Sequence, residues 1–321
     1  MNVRILLTLL LITMVFAGCD RSAATTTSGL EQKPVVVATT TMLADLAMHV
    51  GGQDVVVKGI MKPGGDPHLY QPTPGDARMI ASSQMVITSG LHLEGWIDQL
   101  VRNAGGERPV VVASQRVEPI RMENSPGGVD PHFWFDLQAW KLAADAVGEA
   151  LVELVGKDTE AARRIQARLV AYRADVEALD RWTRERLSSI PERQRVLITS
   201  HDAFNYFGRA YGIDVVAIQG ISTEQEASQR DVANVIDEVR KRGAPAVFVE
   251  TSVNPQLIQQ VARETGVKVA GPLYSDSIGP ADGPASTVIG TVAENVRILT
   301  EALGGTYVAF DASRKSESET M

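Results

Sequence analysis

The sequence predicts an α/β protein of two lobes, each with a parallel four-stranded sheet flanked by helices, joined by one long linker helix. Two observations carry this reading. Short, unbroken β-branched runs alternate with stretches of helical spacing both before and after the middle of the chain. Apolar strands of that kind belong to parallel sheets covered on both faces. Between the two sets lies a single helical pattern from Asp158 to Ile190 without glycine or proline. No repeat with a period of about 20–50 residues is visible, which excludes a solenoid.

In chain order, the first segment is not part of the fold. Arg4, a largely apolar run from Ile5 to Phe16 and the small residues Ala17 and Gly18 have the layout of a secretory signal over residues 1–18. The run is too short to span a bilayer comfortably. Ala17-Gly18-Cys19 looks like a bacterial lipoprotein box, with Phe16 where leucine is usual, so Cys19 is expected to carry a lipid and anchor the chain to a membrane. Residues 19–34 are polar and predict a flexible tether. Cys19 is the single cysteine among 321 residues, so no intrachain disulfide can form in the exported, oxidising setting.

The N-terminal lobe, residues 35–156, is predicted from buried strands at Val35-Val36-Val37-Ala38, Val55-Val56-Val57, Met85-Val86-Ile87 and Val110-Val111-Val112. Its first helix has apolar residues Met42, Leu43, Leu46, Ala47 and Val50 and stops at Gly51-Gly52, and its last runs from about Asp136 to Val155 before Gly156. In the linker helix, residues 158–190, Ile165, Leu169, Tyr172, Val176, Leu179 and Trp182 fall in alternating steps of four and three. They form one apolar stripe on a charged rod, which would be roughly 45–50 Å long at 1.5 Å per residue. The C-terminal lobe, residues 191–305, has strands at Val196-Leu197-Ile198, Val215–Ile218, Ala246–Val249 and Val267–Ala270, and a last helix from about Ser286 to Leu303. Residues 306–321 read as a polar tail.

Charge and motifs narrow the function. With 31 basic and 39 acidic residues the net charge is -8, and no long basic run occurs, so nucleic acid is not an expected partner. No phosphate-binding Gly-x-x-x-x-Gly-Lys-[Ser/Thr] loop is present, so any ATP hydrolysis belongs to another subunit. Two of only five histidines stand in the same tripeptide, Asp66-Pro67-His68 and Asp130-Pro131-His132. Proline fixes its own backbone and holds the preceding aspartate extended, so each imidazole is presented from a stiff turn. A metal site needs ligands placed in that way.

Ligands of an open parallel sheet gather beyond the carboxyl ends of its strands. His68 and His132 follow strands of the first lobe, while His201 and Asp276 follow strands of the second. His201 alone could equally be a helix-start residue, and Asp276 alone an ordinary turn or helix-capping aspartate. Together the four make a complete four-coordinate set of three imidazoles and one carboxylate. His92, in Leu91-His92-Leu93-Glu94, is the rival for the third ligand position. His49, on a helix near Gly51, reads as an exposed or capping residue.

The run Asp66-Pro67-His68-Leu69-Tyr70-Gln71-Pro72-Thr73-Pro74 and the run Asp130-Pro131-His132-Phe133-Trp134-Phe135-Asp136 resemble the two histidine motifs of the zinc/manganese solute-binding lipoproteins of ABC transporters, the cluster A-I type. Ser200-His201-Asp202-Ala203-Phe204-Asn205-Tyr206-Phe207 is similar to their third ligand motif, and Phe248–Pro255 and Ser275-Asp276-Ser277-Ile278 match further segments. The resemblance extends in order from about Pro34 to Leu303. It implies a monomeric, exported, membrane-anchored lipoprotein facing the periplasm or cell exterior. It also implies metal held between the lobes by His68, His132, His201 and Asp276, and delivery to a permease subunit. Two departures bear on the metal. The chain lacks the long histidine-rich loop of some zinc-specific relatives, and it has His201 where several manganese-specific relatives have glutamate.

Three nitrogens and a carboxylate suit Zn²⁺, while Mn²⁺ prefers more oxygen, so zinc is favoured and manganese is the alternative. A secreted zinc hydrolase with Glu94 or Glu250 as base, or a surface adhesin, are the readings from other classes. A fourth protein ligand would close the position that a catalytic zinc keeps open for water. Binding to imidazole should weaken as pH falls through about 6.5, the unperturbed histidine pKa.

Overall fold

Val35–Ala38 (β1), Val56–Gly59 (β2), Met85–Thr88 (β3) and Val110–Val112 (β4) pair in parallel in the order β2-β1-β3-β4. These strands open the computed structural model, which describes residues 33–122 and 128–311. The expected signal segment, Cys19 and most of the tether lie outside the described residues, as do residues 123–127 and 312–321. Helices Thr41–Gly51 (α1), Pro74–Ala81 (α2) and Ile97–Ala104 (α3) connect the strands. The central strands are dry, with Val37 and Val86 both 0% exposed. The sequence reading of Val55–Val57 and Val110–Val112 as buried strands needs correction. They lie at the two edges, where Val56 is 41% and Val110 43% exposed, because an edge strand has a neighbour on one side only.

Leu137–Val155 (α4) and Glu160–Ser188 (α5) follow. α5 starts on Thr159, whose hydroxyl accepts the Ala162 amide at 3.1 Å, a side-chain cap for an otherwise orphaned donor. It spans about 44 Å at 1.5 Å per residue. The helix lies against α1 and α4 on the first-lobe side. On the other side it meets Asn205–Tyr211 (α6), a short helix with no counterpart in the sequence reading, and Val288–Ala302 (α9). Ile165, Tyr172, Val176 and Leu179 are buried as their spacing requires, but the stripe continues through Thr183 and Leu187 and not through Trp182. Trp182 instead lies under the segment after α9: its Nε1 donates to the Val308 carbonyl at 2.9 Å and its ring meets Phe310. Residues 306–310, expected as part of a polar tail, are therefore docked along α5.

The second lobe has Val196–Thr199 (β5), Asp214–Ala217 (β6), Gln229–Arg242 (α7), Ala246–Glu250 (β7), Gln256–Thr265 (α8) and Lys268–Leu273 (β8). In place of one four-stranded ladder, the described residues form two parallel pairs, β5-β6 and β7-β8, with β5 and β7 side by side. At that seam a side chain does what backbone pairing would do elsewhere. The Glu250 carboxylate accepts the amides of Ser200 and His201 at 2.8 and 3.0 Å.

One apolar core runs through both lobes, from Val36 in β1 to Leu303 beyond α9. Polar links cross it as well: Asp45 of α1 accepts the Val288 amide at 2.8 Å, and Thr41 accepts the Ile278 amide at 3.1 Å. A shared core of this kind favours small adjustments between the lobes over wide hinge closure. Within it, the Trp140 indole donates to the Tyr172 hydroxyl at 2.9 Å, tying α4 to α5. Tyr172→Phe leaves a buried donor without an acceptor and should cost about 1–3 kcal/mol. Urea unfolding with an unchanged slope and a lower midpoint would register it; an unmoved midpoint would mean that the bond adds nothing.

Candidate metal centre

In an order such as β2-β1-β3-β4, chain connections leave to opposite sides at β1 and β3, and a crevice opens beyond their carboxyl ends. The two Asp-Pro-His turns are built alike. Asp66 Oδ1 accepts the His68 amide at 2.8 Å, and Asp130 Oδ1 accepts the His132 amide at 2.9 Å. Their surroundings differ. Asp130 also folds back onto its own histidine, 2.8 Å from His132 Nδ1, whereas the second oxygen of Asp66 accepts the Thr223 hydroxyl at 2.6 Å. A tryptophan steadies each region: Trp96 Nε1 donates to the Pro67 carbonyl at 3.0 Å, and Trp134 Nε1 to the Ser275 carbonyl at 2.8 Å.

His68, His132, His201 and Asp276 converge, with one ligand atom from each lying within 4.8 Å of all the others. His132 Nε2 is 3.2 Å from His68 Nε2, 3.4 Å from His201 Nε2 and 3.5 Å from Asp276 Oδ1. Tetrahedral ligands about 2.0–2.1 Å from an ion stand about 3.3–3.5 Å apart, close to the three separations measured from His132 Nε2. Asp276 Oδ1 is buried without a hydrogen-bond partner, an expensive state for a carboxylate oxygen unless a cation faces it. Asp276 Oδ2 accepts from Ser252 at 2.9 Å and Ser275 at 3.1 Å, and stands 3.6 Å from His201 Nε2.

Carboxylates behind the imidazoles set their tautomers. Glu250 Oε2 lies 2.7 Å from His201 Nδ1, as Asp130 does from His132 Nδ1, so in both rings Nδ1 carries the donated proton and Nε2 faces the cage. Burial opposes charge on His201, but Asp276 and Glu250 outweigh it and hold its pKa at about 10. His68 moves the other way: burial first, then the neighbouring His132, bring it down to about 4. Burial also opposes charge on Asp276, yet the three imidazoles, His201 foremost, keep its carboxyl below the usual range.

Neither rival base is free for hydrolytic work. Glu250 is committed to His201 and two amides, and Glu94 accepts from the Thr39 hydroxyl at 2.5 Å and the Ser89 amide at 2.7 Å. His92 stands apart from the cage, exposed on a left-handed turn. His49 is partly exposed in the last turn of α1; its side-chain bond to Asp45 comes first in raising its pKa to about 9. The orienting roles of Asp130, Glu250 and Ser252 escaped the sequence reading. An acid ending an apolar strand, as in Phe248-Val249-Glu250, is the signal that was available for the second of these.

A family model described as zinc-uptake complex component A, periplasmic (ZnuA), matches residues 36–302. The chain is 35% identical over 297 residues to the zinc-binding protein TroA of Treponema pallidum (strain Nichols), spanning 90% of this chain and 95% of that protein. It is 35% identical over 298 residues to the manganese-binding lipoprotein MntA of Bacillus subtilis (strain 168), spanning 91% and 96%. The iron-binding protein YfeA of Yersinia pestis is 33% identical over 279 residues, spanning 86% and 88%. The solved structure of the periplasmic zinc binding protein TroA superposes with a TM-score of 0.80 at 35% identity, covering 84% of this chain and 99% of that one. The match runs from the first strand to the last helix of a two-lobed body joined by a long helix, and this chain belongs to the ZnuA family of metal ABC transporter solute-binding proteins and is not an enzyme.

Proposed function

We propose that this chain captures a divalent transition metal between His68, His132, His201 and Asp276 and hands it to the permease subunit of an ABC transporter. The buried, unpartnered Asp276 Oδ1, facing imidazole nitrogens at cage distance, carries the reading. Zinc is the favoured cargo, because three nitrogens and one carboxylate oxygen suit its tetrahedral preference. Manganese is kept as a second cargo on one observation: both Asp276 oxygens lie near cage nitrogens, so a bidentate carboxylate would add the oxygen that manganese prefers. The names of TroA, MntA and YfeA, for zinc, manganese and iron, agree with a family that varies its metal.

The working form is a monomer, exported and held at the membrane by a lipid on Cys19, with residues 19–34 as tether. Residues 35–156 and 191–305 act as the two jaws and 158–190 as the connecting helix. No helix among the described residues is long and apolar enough to cross a membrane, in keeping with anchoring outside the folded body. The metal content of protein purified from its own cell, followed by competition between Zn²⁺ and Mn²⁺, tests the cargo. Tight binding of one ion per chain is expected, with Zn²⁺ displacing Mn²⁺. Protein that takes up neither would end the carrier reading, and Mn²⁺ outcompeting Zn²⁺ would reverse the choice of metal.

A further inference from the structure

We propose that His92 and Glu224 form an outer capture point for the incoming divalent metal, at the wall of the cavity through which it reaches His68. The inference rests on the reading of the interlobe cage as the metal site. Three of the four cage residues are fully buried, and His68 alone keeps an exposed edge. That edge opens into a cavity of about 370 Å³ whose lining includes Tyr70, His92, Trp96, Pro131 and Glu224. A neighbouring cavity of about 410 Å³, lined by Asp66 and Ser252, contains none of the four. The exposed edge of the cage is therefore at His68, and His92 and Glu224 line the cavity onto which that edge opens.

The wall bearing His92 is held in an unfavourable backbone conformation. Leu91 and His92 have φ of 53° and 64°, a left-handed region that costs free energy for residues other than glycine. The surrounding structure enforces it. Buried Glu94 clamps the turn by accepting from Thr39 Oγ1 and from the amides of Ser89 and Gly90, at 2.5, 2.7 and 3.3 Å. Leu93 is buried beside it, and Trp96, two residues beyond Glu94, bonds Pro67 in the first Asp-Pro-His turn. A buried carboxylate and two strained residues thus keep an imidazole outward, on the wall of the cavity that His68 also lines.

Glu224 belongs to the second lobe and faces the same cavity from the other side. Both side chains are exposed, and among the described residues neither has a hydrogen-bond or ion-pair partner. Imidazole nitrogen and carboxylate oxygen are ordinary donors to first-row divalent metals. Two of them hold an ion far less firmly than four, as a site that must pass its ion onward requires. A site on the path lowers the barrier in both directions and leaves the end point unchanged.

The test follows Zn²⁺ uptake by the metal-free full chain in stopped flow, and Zn²⁺ release to a chromophoric chelator. His92→Gly removes the imidazole while easing the positive φ, so the turn is retained; Glu224→Gln removes the charge. The double variant should take up and release Zn²⁺ about tenfold more slowly, at the lower end of what local charge adds to an on-rate, with Kd within about twofold of the parent. Unchanged rates overturn the proposal. Faster release with weaker Kd also overturns it, and makes His92 part of the cage. A parent protein that binds no Zn²⁺ defeats the cage reading itself, an outcome distinct from the other two.

Discussion

His201→Ala should weaken Zn²⁺ binding about 100- to 1000-fold. A complete zinc site is worth roughly 10–16 kcal/mol, so one ligand of four carries about 2.5–4 kcal/mol, and each 1.4 kcal/mol is a factor of ten. For the proposed ligand His201, Glu250 fixes both the ring and the backbone that presents it, as Asp130 does for His132. The same substitution strips two buried carboxylates, Glu250 and Asp276, of the imidazole between them. Loss of one member of a buried pair costs about 3–5 kcal/mol, so the metal-free variant should also unfold earlier, and circular dichroism should precede any titration. Glu250→Gln keeps the ring and its amide contacts but weakens its orientation, and a smaller loss of about 10- to 100-fold is expected. Isothermal titration with a competing chelator resolves the two. If His201→Ala bound Zn²⁺ as tightly as the parent, the third ligand would have to be sought elsewhere.

The parts of this site that were legible in the sequence are those fixed by neighbours in the chain. An aspartate two residues before a histidine, with proline between, dictates its own turn, and both copies form it. Position after an apolar strand was enough to nominate His201 and Asp276. What stayed hidden depends on partners far along the chain. Glu250 reaches His201 across 49 positions, and Thr223 reaches Asp66 across 157. Three Val-Val-Val triplets looked equivalent, yet Val36 and Val37 are fully buried while Val110 and Val112 are exposed at an edge. Local pattern cannot tell a central strand from an edge strand, because strand order decides it. The left-handed turn at Leu91 and His92 was illegible for the same reason: the buried carboxylate of Glu94 imposes it against the residues' own preference.

Zn²⁺ affinity should rise about tenfold per pH unit between about pH 6 and 9, with close to one proton released per ion bound. The expectation from unperturbed histidines placed the change near 6.5; the cage moves it upward. In the metal-free protein His201, with its pKa near 10, holds a second proton on Nε2, the atom that must face the metal. His68, near 4, is already neutral and contributes no proton over this range. The sign is fixed by competition. A pKa raised above its unfolded value stabilises the metal-free fold fully below about 6.5, and that stabilisation is lost as pH rises through about 10. Proton and metal seek the same nitrogen, so conditions that loosen the proton favour the metal. Calorimetry at pH 7.5 in buffers of different ionisation enthalpy counts the released proton directly. Affinity that stayed flat from pH 6 to 9, with no proton released, would mean that His201 is neutral before the metal arrives and that Asp276 and Glu250 do not hold an imidazolium between them.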